Sequence, residues 1–318
     1  MSEATANDSR PSPPRSVDLG ELTLWIPGAA VLAWWIYDLS FQWASLVEFR
    51  FGWMVVMLSA FLFWERWPTR PKEDVPASTP IVVGLALAGL PLIVMAELYK
   101  WGIARVATSS MLLSLGSTLL ITANIVGARG WKTWRHFAFL LLFFYVAVPI
   151  PRIVWQPIVM GLQTFVATVN VIVLNLSGIP AERFGHVINL PNCQVGVNEA
   201  CSGIRSLQSS LMAALFVGDL TLRKAGWKVF FLFAGVCLAV IGNLARALFL
   251  AVTAYRHGAD ALKEVHDTAG WSVLAFTFVG VAVLAWIVTR MEKRYTQAML
   301  AAETEDPEPK SGTPTRHE

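Results

Sequence analysis

Lys228-Val229-Phe230-Phe231-Leu232-Phe233-Ala234-Gly235-Val236-Cys237-Leu238-Ala239-Val240-Ile241-Gly242-Asn243-Leu244-Ala245-Arg246-Ala247-Leu248-Phe249-Leu250-Ala251-Val252 decides the fold. After Lys228 it carries one charge, Arg246, and it is long enough for a helix to cross a hydrocarbon core, which takes about 20 residues. The whole chain follows the same pattern. Of its 318 residues, 55% are hydrophobic and 15% charged, whereas soluble domains carry about a quarter charged residues. This composition predicts an all-α, polytopic integral membrane protein whose first partner is the lipid bilayer. The net charge of +3 is small, and no basic surface suggests a nucleic-acid partner.

Working outward from 228–252, membrane helices are predicted near 22–39, 51–64, 80–98, 104–127, 136–150, 200–219 and 271–290. That makes about eight spans. The segment 153–177 has a helical pattern but contains Gln156, Gln163, Thr164, Thr168 and Asn170. It is read as one outer interfacial or re-entrant helix, because counting it as a span would invert everything after it. Residues 1–21 are polar and rich in Pro and Ser, unlike a cleavable signal peptide, and are expected to form a disordered cytoplasmic arm. Residues 22–291 form the transmembrane domain, and 292–318 have the composition of a disordered cytoplasmic tail.

Lysine and arginine set the direction. With both termini in the cytoplasm, the inner segments hold 16 of these residues and the outer segments 7, while Arg205 and Arg246 lie inside spans. This bias follows the positive-inside rule. It puts the start of 200–219, the end of 228–252 and the start of 271–290 at one outer level. Cys201, Arg246 and His266 therefore meet there.

Each has a chemical reason to be singled out. Cys201 lies in Asn198-Glu199-Ala200-Cys201-Ser202-Gly203-Ile204-Arg205-Ser206. With Asn198 as N-cap, the thiol falls in the first helical turn, where unpaired N–H groups and the helix dipole favour a thiolate. Arg205 follows at i+4, and Gln208, Ser209 and Met212 continue that face, which must point at protein or water. Arg246, with Asn243 three residues earlier, costs about 2.5–3.5 kcal/mol to insert unless paired or hydrated. It could hold an oxyanion through forked hydrogen bonds or lower a thiol pKa. Snorkelling, or a structural pair with Glu199 or Asp267, is the alternative use. His266 suits a general base for a thiol and an acid for a leaving amine. His257 and His186 compete for that role, and chemistry alone does not separate the three. Cys237 reads as an apolar filler. Cys193 could form a reversible disulfide with Cys201 in an oxidising compartment. The scattered histidines offer no metal spacing, and no cofactor is expected.

Glu199-Ala200-Cys201-Ser202-Gly203-Ile204-Arg205-Ser206, then Asn243-x-x-Arg246, then His266-x-x-x-Gly270-Trp271, together resemble the exosortase/archaeosortase family of membrane cysteine transpeptidases. The resemblance covers about 190–275, and the histidine at the third position resembles the bacterial exosortase branch. It implies Cys201 as nucleophile, Arg246 as stabiliser and His266 as acid/base, with an active-site half of about 178–291. It also implies a substrate: the C-terminal sorting signal of an exported protein, made of a short motif such as Pro-Glu-Pro, a transmembrane helix and a basic cluster. Cleavage would occur at the outer face of the bacterial cytoplasmic membrane, with transfer to an unidentified cell-surface acceptor. A transporter binding an anion through Arg205 and Arg246, or a membrane acyltransferase using His266, are the competing readings.

Overall fold

The computed structural model describes residues 19–71, 75–196, 204–258 and 261–305, without side-chain detail at 19–22, 205, 262–264, 266, 267 and 302–305. The helices are α1 (Leu19–Ser45), α2 (Gly52–Arg66), α3 (Thr79–Gly102), α4 (Ala107–Arg129), α5 (Trp131–Phe144), α6 (Arg152–Leu176), α7 (Ile204–Thr221), α8 (Ala225–His257) and α9 (Ala261–Glu305). Each corresponds to one helical segment expected from the sequence. Between α6 and α7, strands β1 (Glu182–Phe184), β2 (Val187–Leu190) and β3 (Cys193–Gly196) form an antiparallel sheet in the order β1-β2-β3.

The first five helices bury one core. α4 is its axis: Ser110, Ser114 and Ser117 are buried along one face, and the Trp35 indole donates to Ser114 Oγ at 2.7 Å. Ser114 in turn donates to the Ser110 carbonyl at 2.6 Å, so the Trp35 indole and the Ser114 hydroxyl are both satisfied within the core. α3 closes on α4 through Gly89 and Gly116. A Cβ on Gly116 would stand 2.8 Å from the Gly89 carbonyl oxygen, a close approach of the kind small residues allow between membrane helices. Trp35, Trp43, Phe143 and Phe144 fill the space between α1 and α5.

α7, α8 and α9 form a second bundle with its own core around Ala214, Phe231 and Val281. α7 and α8 run antiparallel: Gly235 meets Ala214 and Ser210, and Gly218 meets Phe231. α9 runs antiparallel to α8, with Gly242 against Phe276 and Gly280 against Leu238. The two bundles are tied at one end. Arg66 of α2 pairs with buried Asp219 of α7 and donates to the His136 carbonyl at 2.8 Å, and Lys228 of α8 completes the pair on Asp219 at 2.8 Å. Nearby, Glu292 of α9 accepts from the backbone N–H groups of Arg223 and Lys224, at 2.7 Å from Lys224 N, satisfying donors at the start of α8.

By length and apolarity, seven helical segments could cross a membrane, including Arg152–Leu176 of α6 but not α5 or α7. The contacts sort the helices differently. α2 and α5 leave the Arg66–Asp219 end and reach the opposite end, where Trp43 Nε1 donates to the Ala147 carbonyl at 2.8 Å. Trp155, in the first turn of α6, contacts Phe49 at that same opposite end. The far end of α6 is also there: Leu174 packs in a cluster with Ile188 of the sheet and Ala251 and Ala254 of late α8. Both ends of α6 thus contact elements of the sheet side. α5 and α7 instead run from one end to the other.

The ends of α8 and α9 differ from the sequence reading. α8 extends to His257 and α9 begins at Ala261, so most of the expected outer loop is helical. α9 also continues to Glu305, through residues expected in a disordered tail. The run Met291-Glu292-Lys293-Arg294 through Met299-Leu300-Ala301 is made of good helix formers, which an apolarity scan does not register.

Candidate active site

At the sheet end, α8 carries Gly242, Asn243 and Arg246 along one face. Asn243 is buried, and neither atom of its amide meets a hydrogen-bond partner among the described residues. Burying an unsatisfied amide costs about 1–3 kcal/mol, so this position is held against stability. The Arg246 guanidinium lies on α9: its Nη2 is 3.5 Å from where a Cβ on Gly270 would stand. Beside it, a cavity of about 430 Å³ opens between the two helices, lined by Ile241, Ala245, Arg246, Thr268, Ser272 and Phe276 among others. The arginine is therefore the charged group of a largely apolar cleft, where its hydrogen bonds and charge act at low effective dielectric.

His266 is a helical residue of α9, one turn before Gly270, and not the loop residue expected from the sequence. Since Arg246 faces Gly270, His266 enters about one turn, or about 5 Å, further along the same helix pair. His257 is exposed in the last turn of α8, about three turns beyond Arg246. His186 is exposed in the β1–β2 turn. Its neighbour Val187 pairs with Gly196, so the sheet keeps this competitor close to the segment that follows.

That segment, 197–203, holds Asn198, Glu199 and Cys201, which lie outside the described residues; so does the side chain of Arg205. Its two flanks are described. β3 ends at Gly196, and just before its start Asn192 donates to the Tyr255 carbonyl of late α8 at 2.7 Å. α7 begins at buried Ile204. Extending the α7–α8 register set by Gly235 with Ala214 and Ser210 puts Ile204 at the level of Asn243, about one turn from Arg246. Gln208 and Met212, on the face that starts at Arg205, are buried, and Met212 joins the core of the first bundle. This polar face is thus turned onto protein, as expected.

Cys193 is a free thiol, half-buried in β3, and burial pushes its pKa up from the ordinary cysteine value. It is therefore a poor nucleophile at neutral pH. Cys237 is also free, midway along α8. Thr268 and Ser272 were not singled out from the sequence. Their only signal is an i, i+4 spacing, with Ser272 Oγ bonded to the Thr268 carbonyl at 2.9 Å.

The arrangement can stabilise negative charge with a guanidinium at the mouth of a cleft open toward the bilayer. It brings the start of α7, Arg246 and the helical turn of His266 to the same end of the bundle, spread over about two turns. The family model of the transmembrane exosortases matches residues 43–283 of this chain. The chain belongs to that family, and it is a polytopic, predominantly α-helical membrane protein. No curated protein matches it, and no solved structure does.

Proposed function

We propose that this transmembrane exosortase is a cysteine peptidase/transpeptidase that cleaves the C-terminal sorting signal of exported proteins at the outer face of the bacterial cytoplasmic membrane. The observation that carries the reading is Arg246 pressed onto Gly270 at the rim of the α8–α9 cavity, one turn from the position of His266 and about one turn from the level of Ile204.

The Cys201 thiol gives its proton to His266, and the thiolate attacks the scissile carbonyl carbon. The carbonyl electrons move onto oxygen, and Arg246 donates hydrogen bonds to that oxyanion. The intermediate collapses and expels the amine, which takes the proton back from His266. A Cys201 thioester of the N-terminal fragment remains. An amine of the surface acceptor, or water, then attacks the thioester and regenerates the thiol. Asn198, Glu199, Arg205 and Asn243 support the site, with Arg205 one turn below the thiol.

Direction rests on the excess of lysine and arginine at the Arg66–Asp219 end, which puts that end and both termini in the cytoplasm. The test is coexpression with a reporter carrying a sorting motif, an apolar helix and a basic cluster. Wild-type protein should process it, and Cys201→Ala should leave it intact at normal expression. Processing that survives Cys201→Ala refutes the mechanism.

A further inference from the structure

We propose that the seam between α8 and α9 is the docking groove for the transmembrane helix of the protein substrate, entered sideways from the bilayer. The proposal rests on the functional reading above and adds where the anchored part of the substrate sits.

Two cavities lie along this seam. The first, of about 430 Å³, has Arg246 at its rim; the second, of about 580 Å³, runs on between Ala234 and Ile287. Phe276 lines both, so they form one continuous groove. On α9 the lining runs from Val265 to Ile287, about 33 Å at 1.5 Å per residue. That is close to the thickness of a bilayer's hydrocarbon core, about 30 Å.

The polarity is graded along that length. Arg246, Thr268 and Ser272 are at the sheet end, and below Phe276 the lining is apolar: Val279, Val283, Leu284 and Ile287. The floor includes Ala234 and Ala275, small residues that let a second helix backbone approach closely. Phe276, Val279 and Val283 are exposed, so no helix among the described residues covers the groove.

One occupant fits all of these features: an apolar membrane-spanning helix that becomes an extended polypeptide at its outer end. Its helix would fill the lower groove, and the peptide bond just above it would arrive at Arg246. A ring of helices closed around the site would exclude such a substrate, because a helix anchored in lipid can enter only laterally.

The test places a photo-crosslinking benzoylphenylalanine at Val279 or at Val283 in full-length Cys201→Ala protein, coexpressed with the anchored reporter. The control position is Leu87 on α3, matched in exposure at 65% against 59% for Val279. Reporter adducts from the groove positions should exceed those from Leu87 about tenfold, a preference of about 1.4 kcal/mol. Equal adducts at Leu87, or adducts only with lipid or with a second copy of this chain, overturn the groove. Processing of the reporter by protein with Cys201 intact is scored separately. Processing without groove adducts rejects the groove alone; groove adducts without processing reject the peptidase reading and leave a helix-docking site.

Discussion

Arg246 and Asn243 show how much a single residue can disclose. A lone charge in the apolar run 228–252 stands out because its insertion has to be offset by some specific environment, and the fold gives Arg246 that environment at a cavity rim on Gly270. The planar fork is the property a developing oxyanion needs, so Arg246→Lys should fail nearly as badly as Arg246→Ala. Both should lower the rate of reporter processing by about 10²–10³-fold, the range seen for losing one oxyanion donor; near-normal processing by the lysine variant would make Arg246 a simple counter-charge. Asn243 is different, because its buried amide atoms have no partner among the described residues. Asn243→Leu should keep or raise the melting temperature in detergent and still reduce processing, which separates a positioning role from a structural one. Thr268 and Ser272 were not legible in the sequence, since hydroxyl residues four apart are common in membrane helices and often only bond back to the preceding turn.

Apolarity located every helix but not every end. It follows the bilayer, whereas a helix continues wherever its residues favour it. α8 and α9 therefore outrun 228–252 and 271–290 in both directions, and His266 belongs to a helix. The sheet was missed because its strands are only three or four residues long. Its signal was the alternation in Val187-Ile188-Asn189-Leu190, where Ile188 and Leu190 are the buried pair. α6 is the segment on which topology turns: its polar residues argue for the interface, whereas its length and apolarity suit a span. Single cysteines at Arg152 and Ser177, one at each end of α6, should both react with a membrane-impermeant thiol reagent added from the same side. Labelling from opposite sides would make α6 a span. The Arg66–Asp219–Lys228 cluster joins the two bundles at the other end. Asp219→Asn leaves two cations without their partner, a loss of about 3–5 kcal/mol for a buried pair, and should lower the melting temperature markedly in a detergent thermal shift assay. An unchanged melting temperature would show that the bundles do not depend on this tie.

At the scale of the molecule, the two bundles are tied to each other by ion pairs at one end, while Lys100–Asp38 ties α3 to α1 within the first bundle. Ion pairs and the Glu292 cap close the Arg66–Asp219 end, while the sheet end gathers the start of α7, the Arg246 turn and the entry of α9 around a cleft that faces lipid. The charge bias of the loops puts these three segments on one side, because lysine and arginine report side and not depth. Depth came from helix register, with Gly235, Gly242 and Gly270 marking the crossings. This division of labour suits an enzyme whose substrate is held in the membrane and cut at its surface. The central claim is that Cys201 carries the acyl group. The direct measurement is mass spectrometry of the protein trapped by acid quench during turnover of the anchored reporter. The account predicts a hydroxylamine-sensitive thioester on Cys201 whose mass identifies the N-terminal fragment and its cleavage site. An acyl group on Cys193 or Ser202, or full turnover with no acyl-enzyme at any stage, would contradict it.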